Sequence, residues 1–263
     1  RPGCGQRSER WEDRLSPSPI HKALSIFRAH RVRAMLMGGQ ACILYGAAEF
    51  SRDIDFDVLA DENNLSRLRA ALHELQAKPV FVPPLSTAVL LRGHACHFRS
   101  AKAETRGLRI DVMSVLHGCE PFDALWSRRR TLSLAGVGRV HVLALEDLVQ
   151  AKKTQRDKDW PMVRRLLESD FHRHRTRPSR ERVGFWLREV RTSDLLIELC
   201  RRFPGTARRL LSGRAALQAA VHGDVARVEQ ALQVEQDWYR ASDRQYWAPL
   251  RTELARWRLE QGR

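Results

Sequence analysis

The sequence predicts an α+β protein, a mixed sheet with flanking helices followed by an all-helical C-terminal region. Three observations carry that expectation. Short strand-like runs, broken by glycine and proline, fill the first half. From Leu145 onward the chain reads as helix throughout. Within that first half, an apolar run ends in Gly38-Gly39, and aspartates then recur at every second position as Asp53, Asp55 and Asp57.

Taken in order, residues 1–15 read as a flexible polar arm, 16–145 as the α/β domain and 146–263 as the helical domain. Prolines near its start place a helix over 16–31. Val32–Met37 is a short buried strand, and Gln40–Tyr45 a helix that ends at Gly46. Ile54–Leu59 is the next strand. Asn64 opens a helix with Leu65, Leu68, Leu72 and Leu75 on one face. Strand-like pieces follow at Val80–Val82, Thr87–Leu91, Cys96–Arg99 and Leu108–Met113, and Val140–Leu143 is the last strand. The helices then expected are Leu145–Gln155, Asp157–Leu167 and Arg180–Arg191, with Phe171–Arg180 as an exposed connector. Trp186, Trp238, Trp247 and Trp257 fall on helical patterns and are expected in the core.

A chain of 263 residues with 43% hydrophobic content can bury a substantial core. No apolar run approaches the ~20 residues that span a bilayer, and no signal-peptide pattern opens the chain. The expectation is a cytoplasmic protein with no membrane partner. Its start, without an initiator Met, is consistent with numbering that begins inside a longer product. The five cysteines are scattered and form no Cys-x-x-Cys pair, which argues against a disulfide framework or zinc knuckle. His94, Cys96, His97, His117 and Cys119 could ligate zinc in principle. Adjacent residues of a strand face opposite ways, however, so that reading is set aside. The net charge of +15 is carried mostly by arginine. A GC-rich genome explains Arg over Lys but not the excess of cations, which suits a polyanionic partner such as nucleotide or nucleic acid.

The glycines and aspartates carry the chemistry. A paired glycine between strand and helix lets backbone approach a ligand closely and suits phosphate. Alternating aspartates leave one face of a strand, with Cα atoms roughly 7 Å apart. There they repel unless protonated or bridged by cations, and Mg²⁺ takes a few carboxylates together with phosphate oxygens. The interleaved Ile54, Phe56 and Val58 indicate that the opposite face is buried, which argues against a fully solvated edge strand. Asp111, a lone acid in the apolar run Leu108–Met113, is the residue type that a paired strand would need to complete the cluster.

Gly38-Gly39, thirteen further residues, Asp53-Ile-Asp55 and a distant strand Asp111 resemble the nucleotidyltransferase superfamily of the DNA polymerase β type. The string Ser51–Asp57 is similar to that of AbiEii-type abortive-infection toxins and minimal nucleotidyltransferases. Leu145–Asp159 is similar to the helix those families place after the catalytic sheet. The likeness covers about residues 30–165. It implies a nucleotidyltransferase-like fold and transfer of a nucleoside monophosphate from an NTP to a hydroxyl, by in-line attack assisted by two metals. By that resemblance Asp53 and Asp55 would hold two Mg²⁺ (or Mn²⁺) ions, and Asp111 would join the metal nearer the acceptor. Gly38 and Gly39 would hold the triphosphate, with Ser51 and Arg52 beside it. Lys152 and Arg156 fall at phosphate-contacting positions, and Asp159 at one that anchors the helix. Two departures stand out: Glu49 where relatives carry Arg, for which Arg52 could substitute, and Gln40 where the toxins often have Thr. Asp57 lies outside the pattern and reads as solvated.

The arginine stretches 128–130, 173–182 and 201–209 could form a nucleic-acid surface, although each alone reads as a solvated helix face. RNA, tRNA in some toxin relatives, is therefore the expected acceptor, ahead of a protein hydroxyl or an aminoglycoside-type small molecule. A cognate antitoxin is a further partner that the toxin likeness would imply. The rival is a non-catalytic module of the same fold that binds nucleotide or nucleic acid. A carboxylate cluster open beside Gly38-Gly39 favours the enzyme, and one plugged by side chains favours the rival.

Overall fold

The computed structural model describes residues 18–48, 50–80 and 82–261. The N-terminal arm, Glu49 and Phe81 lie outside them. The chain divides into two compact units. One contains the described residues up to Leu44, with Glu49–Ser114 and Phe122–Leu143; the other contains Tyr45–Ala48, Val115–Pro121 and everything from Ala144.

The first unit is built on a seven-stranded mixed sheet among the described residues. Its strands are β1 (Ala34–Met37), β2 (Asp53–Val58), β3 (Lys78–Pro79), β4 (Cys96–Arg99), β5 (Arg109–Met113), β6 (Arg130–Leu134) and β7 (Gly138–Val142). They lie in the order β3-β4-β5-β2-β1-β7-β6. β2 runs parallel to β5 and β1 to β7, and the other neighbours are antiparallel. Its helices are α1 (Ser18–Ala29), α2 (Gly38–Leu44), α3 (Glu62–Glu74), α4 (Thr87–Leu91) and α5 (Phe122–Arg128).

Alternation in β2 decides which face is which. Ile54, Phe56 and Val58 are buried, and the Phe56 ring stacks on Phe27 of α1 at 4.3 Å. Each such side chain contributes about 1.5–3 kcal/mol by leaving water, which fixes the strand's register and turns its aspartates to the other face. Asn64 ties this centre together. It is 2% exposed, accepts from Arg33 N (2.7 Å), and donates to the carbonyls of Arg33 (3.0 Å) and Leu59 (2.9 Å). It thus joins the residue before β1 to the residue after β2, while its own N–H is capped by Asp61 (2.6 Å).

Several sequence expectations change. Thr87–Leu91 is a helix, not a strand, because Ser86 caps it by accepting from Val89 N (3.3 Å). Its β-branched composition misleads at five residues. Of the strand expected at Val80–Val82, Phe81 lies outside the described residues; the strand paired with β4 is Lys78–Pro79, an edge that tolerates proline, and Val80 N still donates to His97 O at 2.9 Å. Helix α5 and strand β6 were not anticipated; Arg128–Arg130 marks the junction between them. Arg129 is committed there, stacked 4.0 Å over Trp126 with Nε donating to His141.

The second unit is helical: α6 (Leu145–Ala151), α7 (Asp159–His174), α8 (Arg180–Glu189), α9 (Ser193–Arg202), α10 (Pro204–Leu210), α11 (Ala215–Val221) and α12 (Val225–Gln261). Helix α7 runs into the expected connector as far as His174, because Phe171 is buried and Asp170 accepts from Trp186 Nε1 at 2.9 Å. Of the four tryptophans expected in the core only Trp186 is fully buried, whereas Trp238 is 64% exposed on α12. A helical period alone does not say which helix faces remain uncovered. Among the described residues no helix is long and apolar enough to cross a membrane.

Replacing Asn64 by Ala strands buried backbone groups of Arg33 and Leu59. We expect Asn64→Ala to lower unfolding free energy by about 2–4 kcal/mol in urea titrations. A loss below about 0.5 kcal/mol would contradict this account of the sheet centre.

Candidate active site

Strand β1 delivers the chain into Gly38, whose φ of +64° is a left-handed conformation that favours glycine. A Cβ on Gly38 would fall inside the Asp55 carboxylate, and one on Gly39 would overlap the Ser51 hydroxyl. The two glycines therefore bring the backbone directly against Asp55 and Ser51. Gln40, fully buried, holds the approach to β2 by donating to Ser51 O (2.9 Å) and Asp53 O (3.4 Å). The Ser51 hydroxyl also donates to Asp53 O at 3.2 Å. The sequence marks Gln40 only as a departure from a pattern; the structure makes it the clamp that sets the Ser51–Asp53 turn. Arg52 is exposed, its guanidinium 5.8 Å from the Phe50 ring centroid.

Asp53 and Asp55 share the half-buried face of β2. In the parallel β2/β5 register Asp55 pairs with Asp111, so the third carboxylate is brought beside the first two. Asp53 pairs with Arg109, a residue that the sequence reading passed over. Its signal was available: Arg109 stands two positions before Asp111 and so on the same face.

Asp111 is engaged. Arg109 Nε donates to its Oδ1 at 2.8 Å, and His97 Nδ1, from the opposite position on β4, lies 2.9 Å from the same oxygen. The guanidinium also reaches His97 Nδ1 at 3.2 Å. Burial pushes the Asp111 carboxyl up, but His97 and Arg109 outweigh it and leave the group below the usual carboxylate range. The Asp111 contact, then Asp53 and Asp55 through space, raise the proton affinity of Arg109.

Asp57 is not solvated as expected. It is fully buried, at a register position between Met35 and Met113, and engaged within the protein. The strand sinks into the core along its length, which alternation alone does not reveal.

Lys152 and Arg156 belong to the helical unit. Both pair with Asp159, Lys152 Nζ at 3.1 Å and Arg156 Nε at 2.7 Å, and Thr154 donates to the same carboxylate at 2.6 Å. Burial raises the Asp159 carboxyl, yet Lys152, Thr154 and Arg156 together leave it lowered. Asp159 therefore anchors the segment between α6 and α7. Lys153 is buried more deeply, on Glu189 (2.7 Å), Gln150 (3.0 Å) and Tyr239 (3.2 Å).

For a metal, the donor chemistry is hard oxygen, which suits Mg²⁺ or Mn²⁺. Among the described residues no three His, Cys, Asp or Glu side chains are grouped so as to hold an ion by themselves. Asp53 and Asp55 are hard-oxygen donors on one strand face, and with Asp111 held by Arg109 and His97 an ion there would need oxygens from outside the protein to fill its shell.

No protein-family model matches the sequence, and no curated protein matches it. Among solved structures, the chain is similar to the lincomycin-bound lincosamide antibiotic adenylyltransferase LnuA, at 13% identity and a TM-score of 0.42, over 59% of this chain and 98% of that one. It is also similar to JHP933 from Helicobacter pylori, at 16% identity and a TM-score of 0.34, over 90% of this chain and 98% of that one. Likeness this loose assigns neither activity nor substrate to this chain.

Two glycines with left-handed φ separate close approach from backbone preference. Gly107 (φ +81°) has open space around a Cβ, whereas Gly38 has the Asp55 carboxylate there. Both Ala variants lose about 1–2 kcal/mol to conformation. Gly38→Ala should lose at least about 1 kcal/mol more, read by urea unfolding. Equal losses would mean that the turn does not press on Asp55.

Proposed function

We propose that the chain is a nucleotidyltransferase that moves a nucleoside monophosphate from an NTP to a hydroxyl acceptor, the acceptor oxygen bonding the α-phosphorus as the α–β phosphoanhydride breaks and pyrophosphate leaves, with Mg²⁺ or Mn²⁺ accompanying the triphosphate. The observation that carries this reading is the glycine turn lying directly against Asp55, on a sheet face shared by Asp53 and Asp111. Nothing in a purely structural strand calls for three carboxylates beside a backbone turn stripped of side chains.

When bound, the metal would polarise the phosphate and neutralise charge developing on it. Asp53 and Asp55 would hold the cation–phosphate unit. Gly38 and Gly39 would let phosphate oxygens approach the main chain, with Ser51 and the exposed Arg52 beside them. Asp111 would accept a hydrogen bond from the attacking hydroxyl and orient it. For Lys152 and Arg156 a phosphate role rests on the resemblance; their distances support anchoring through Asp159.

RNA is the proposed acceptor. In the helical unit Arg175, Arg177, Arg180, Arg201, Arg202, Arg208 and Arg209 are exposed, and Arg202 donates to Arg175 O, linking the end of α9 to the end of α7. Arg201 and Arg202 also border a cavity of about 480 Å³ with Asp194 and Glu198, which weakens the positive field there. A cognate antitoxin would accompany the toxin-like version of this reading.

A second reading, a binding module without turnover, is favoured by one observation: Arg109 and His97 occupy Asp111. Incubation with each labelled NTP, Mg²⁺ and total cellular RNA decides between them. Transfer of label to RNA, abolished in Asp53→Asn/Asp55→Asn, is the expected result. Nucleotide binding without transfer to any acceptor would favour the module, and label in a small molecule or protein would remove RNA as acceptor.

If RNA is gripped through its phosphates, its affinity falls steeply with salt. Replacing Arg201, Arg202, Arg208 and Arg209 by Ala should then raise KM for RNA several-fold while leaving metal–nucleotide binding unchanged. An unchanged KM would remove this surface from the acceptor site.

A further inference from the structure

Arg109 places a fixed positive charge inside the carboxylate face. It stands opposite Asp53 in the β2/β5 register, donates to Asp111 Oδ1 at 2.8 Å, and reaches His97 at 3.2 Å. It therefore lies on the strand face that Asp53, Asp55 and Asp111 share. Arginine holds that charge at any working pH, so the guanidinium is a permanent resident among them.

We propose that Arg109 is a positioning residue that makes this face refuse a divalent ion offered alone and accept one that arrives on a triphosphate. This rests on the metal-dependent reading above. A bare ion at Asp53 and Asp55 meets Arg109 as a like charge and finds the Asp111 oxygen already engaged. A triphosphate changes both conditions. Its oxygens complete the ion's coordination, and they offer the guanidinium a partner that suits its planar fork at least as well as Asp111 does. Arg109 then leaves Asp111 for phosphate, and Asp111 becomes free to face the incoming hydroxyl. The order of binding would be built into the sheet: the carboxylate face is completed by its substrate.

The consequence is measurable without turnover. Mn²⁺ binding to the full chain can be followed by equilibrium dialysis, alone and with α,β-methylene analogues of the four NTPs, each read against the same Mn²⁺–analogue mixture without protein. Wild type should bind Mn²⁺ at least about tenfold more tightly with a suitable analogue than without. Arg109→Gln should tighten binding of Mn²⁺ alone by about tenfold and narrow that difference. Arg109→Lys, which keeps the charge, should preserve most of it, and Arg109→Met repeats the loss of charge if the Gln variant folds poorly. The gain in Arg109→Gln should vanish on adding Asp53→Asn and Asp55→Asn.

If Arg109→Gln leaves the affinity for Mn²⁺ alone unchanged while wild type binds Mn²⁺ with nucleotide, the proposal for Arg109 fails and the transferase reading stands. A gain that survives the double Asn change also overturns it, since the new site lies elsewhere. If wild type binds Mn²⁺ with none of the analogues, the metal-dependent reading fails, and the inference with it.

Discussion

Carboxylates on adjacent parallel strands are forced together by the sheet, because backbone hydrogen bonds hold Asp55 opposite Asp111 whatever their charges prefer. Hydrophobic burial enforces that register: Ile54, Phe56 and Val58 on one side of β2, and Ile110 and Val112 on β5, would all be exposed by a one-residue slip. The sheet thus stores repulsion on its other face, and positive charge has to meet it. Arg109 supplies part of that charge from the strand itself, with His97 from β4 beside it. The glycine turn, the Gln40 clamp and the half-buried setting of the aspartates gain their sense from this one constraint. They shape a place where further positive charge would be well received.

The parts of this arrangement that follow a simple period were legible in the sequence. Alternation placed Asp53 and Asp55 on one face of β2, the Gly-Gly step marked where β1 turns, and leucine spacing located α3. What was not legible depends on contacts between distant residues. Arg109 is an ordinary strand arginine until β5 is known to lie beside β2. Gln40 looked like a departure from a family pattern, and only its bonds to Ser51 and Asp53 reveal a task. Asp57 obeys the same alternation as Asp53 and Asp55, yet it is buried, since depth along a strand leaves no mark in its period. Thr87–Leu91 was misread because one side-chain cap, Ser86, decides the conformation of so short a segment.

The helical unit shows how a strongly basic chain disposes of its charge. Arg214 binds Glu235 and the carbonyls of Leu187 and Val190, Lys153 binds Glu189, and Asp170 gathers Trp186, Arg182 and His174. Such buried pairs add little net stability, although losing either partner would be costly. Counting arginines therefore overstates the surface available to a polyanion. Exposed arginines remain between Arg175 and Arg209, and even there Asp194 and Glu198 lie beside Arg201 and Arg202.

The most direct measurement is a crystal structure of the protein with Mn²⁺ and a non-hydrolysable nucleoside triphosphate, recorded for anomalous scattering from manganese. The account predicts an anomalous peak about 2.0–2.3 Å from carboxylate oxygens of Asp53 and Asp55, with phosphate oxygens completing the shell and Arg109 turned from Asp111 toward phosphate. A bound nucleotide with no metal at Asp53 and Asp55, and with Arg109 still on Asp111, would contradict it.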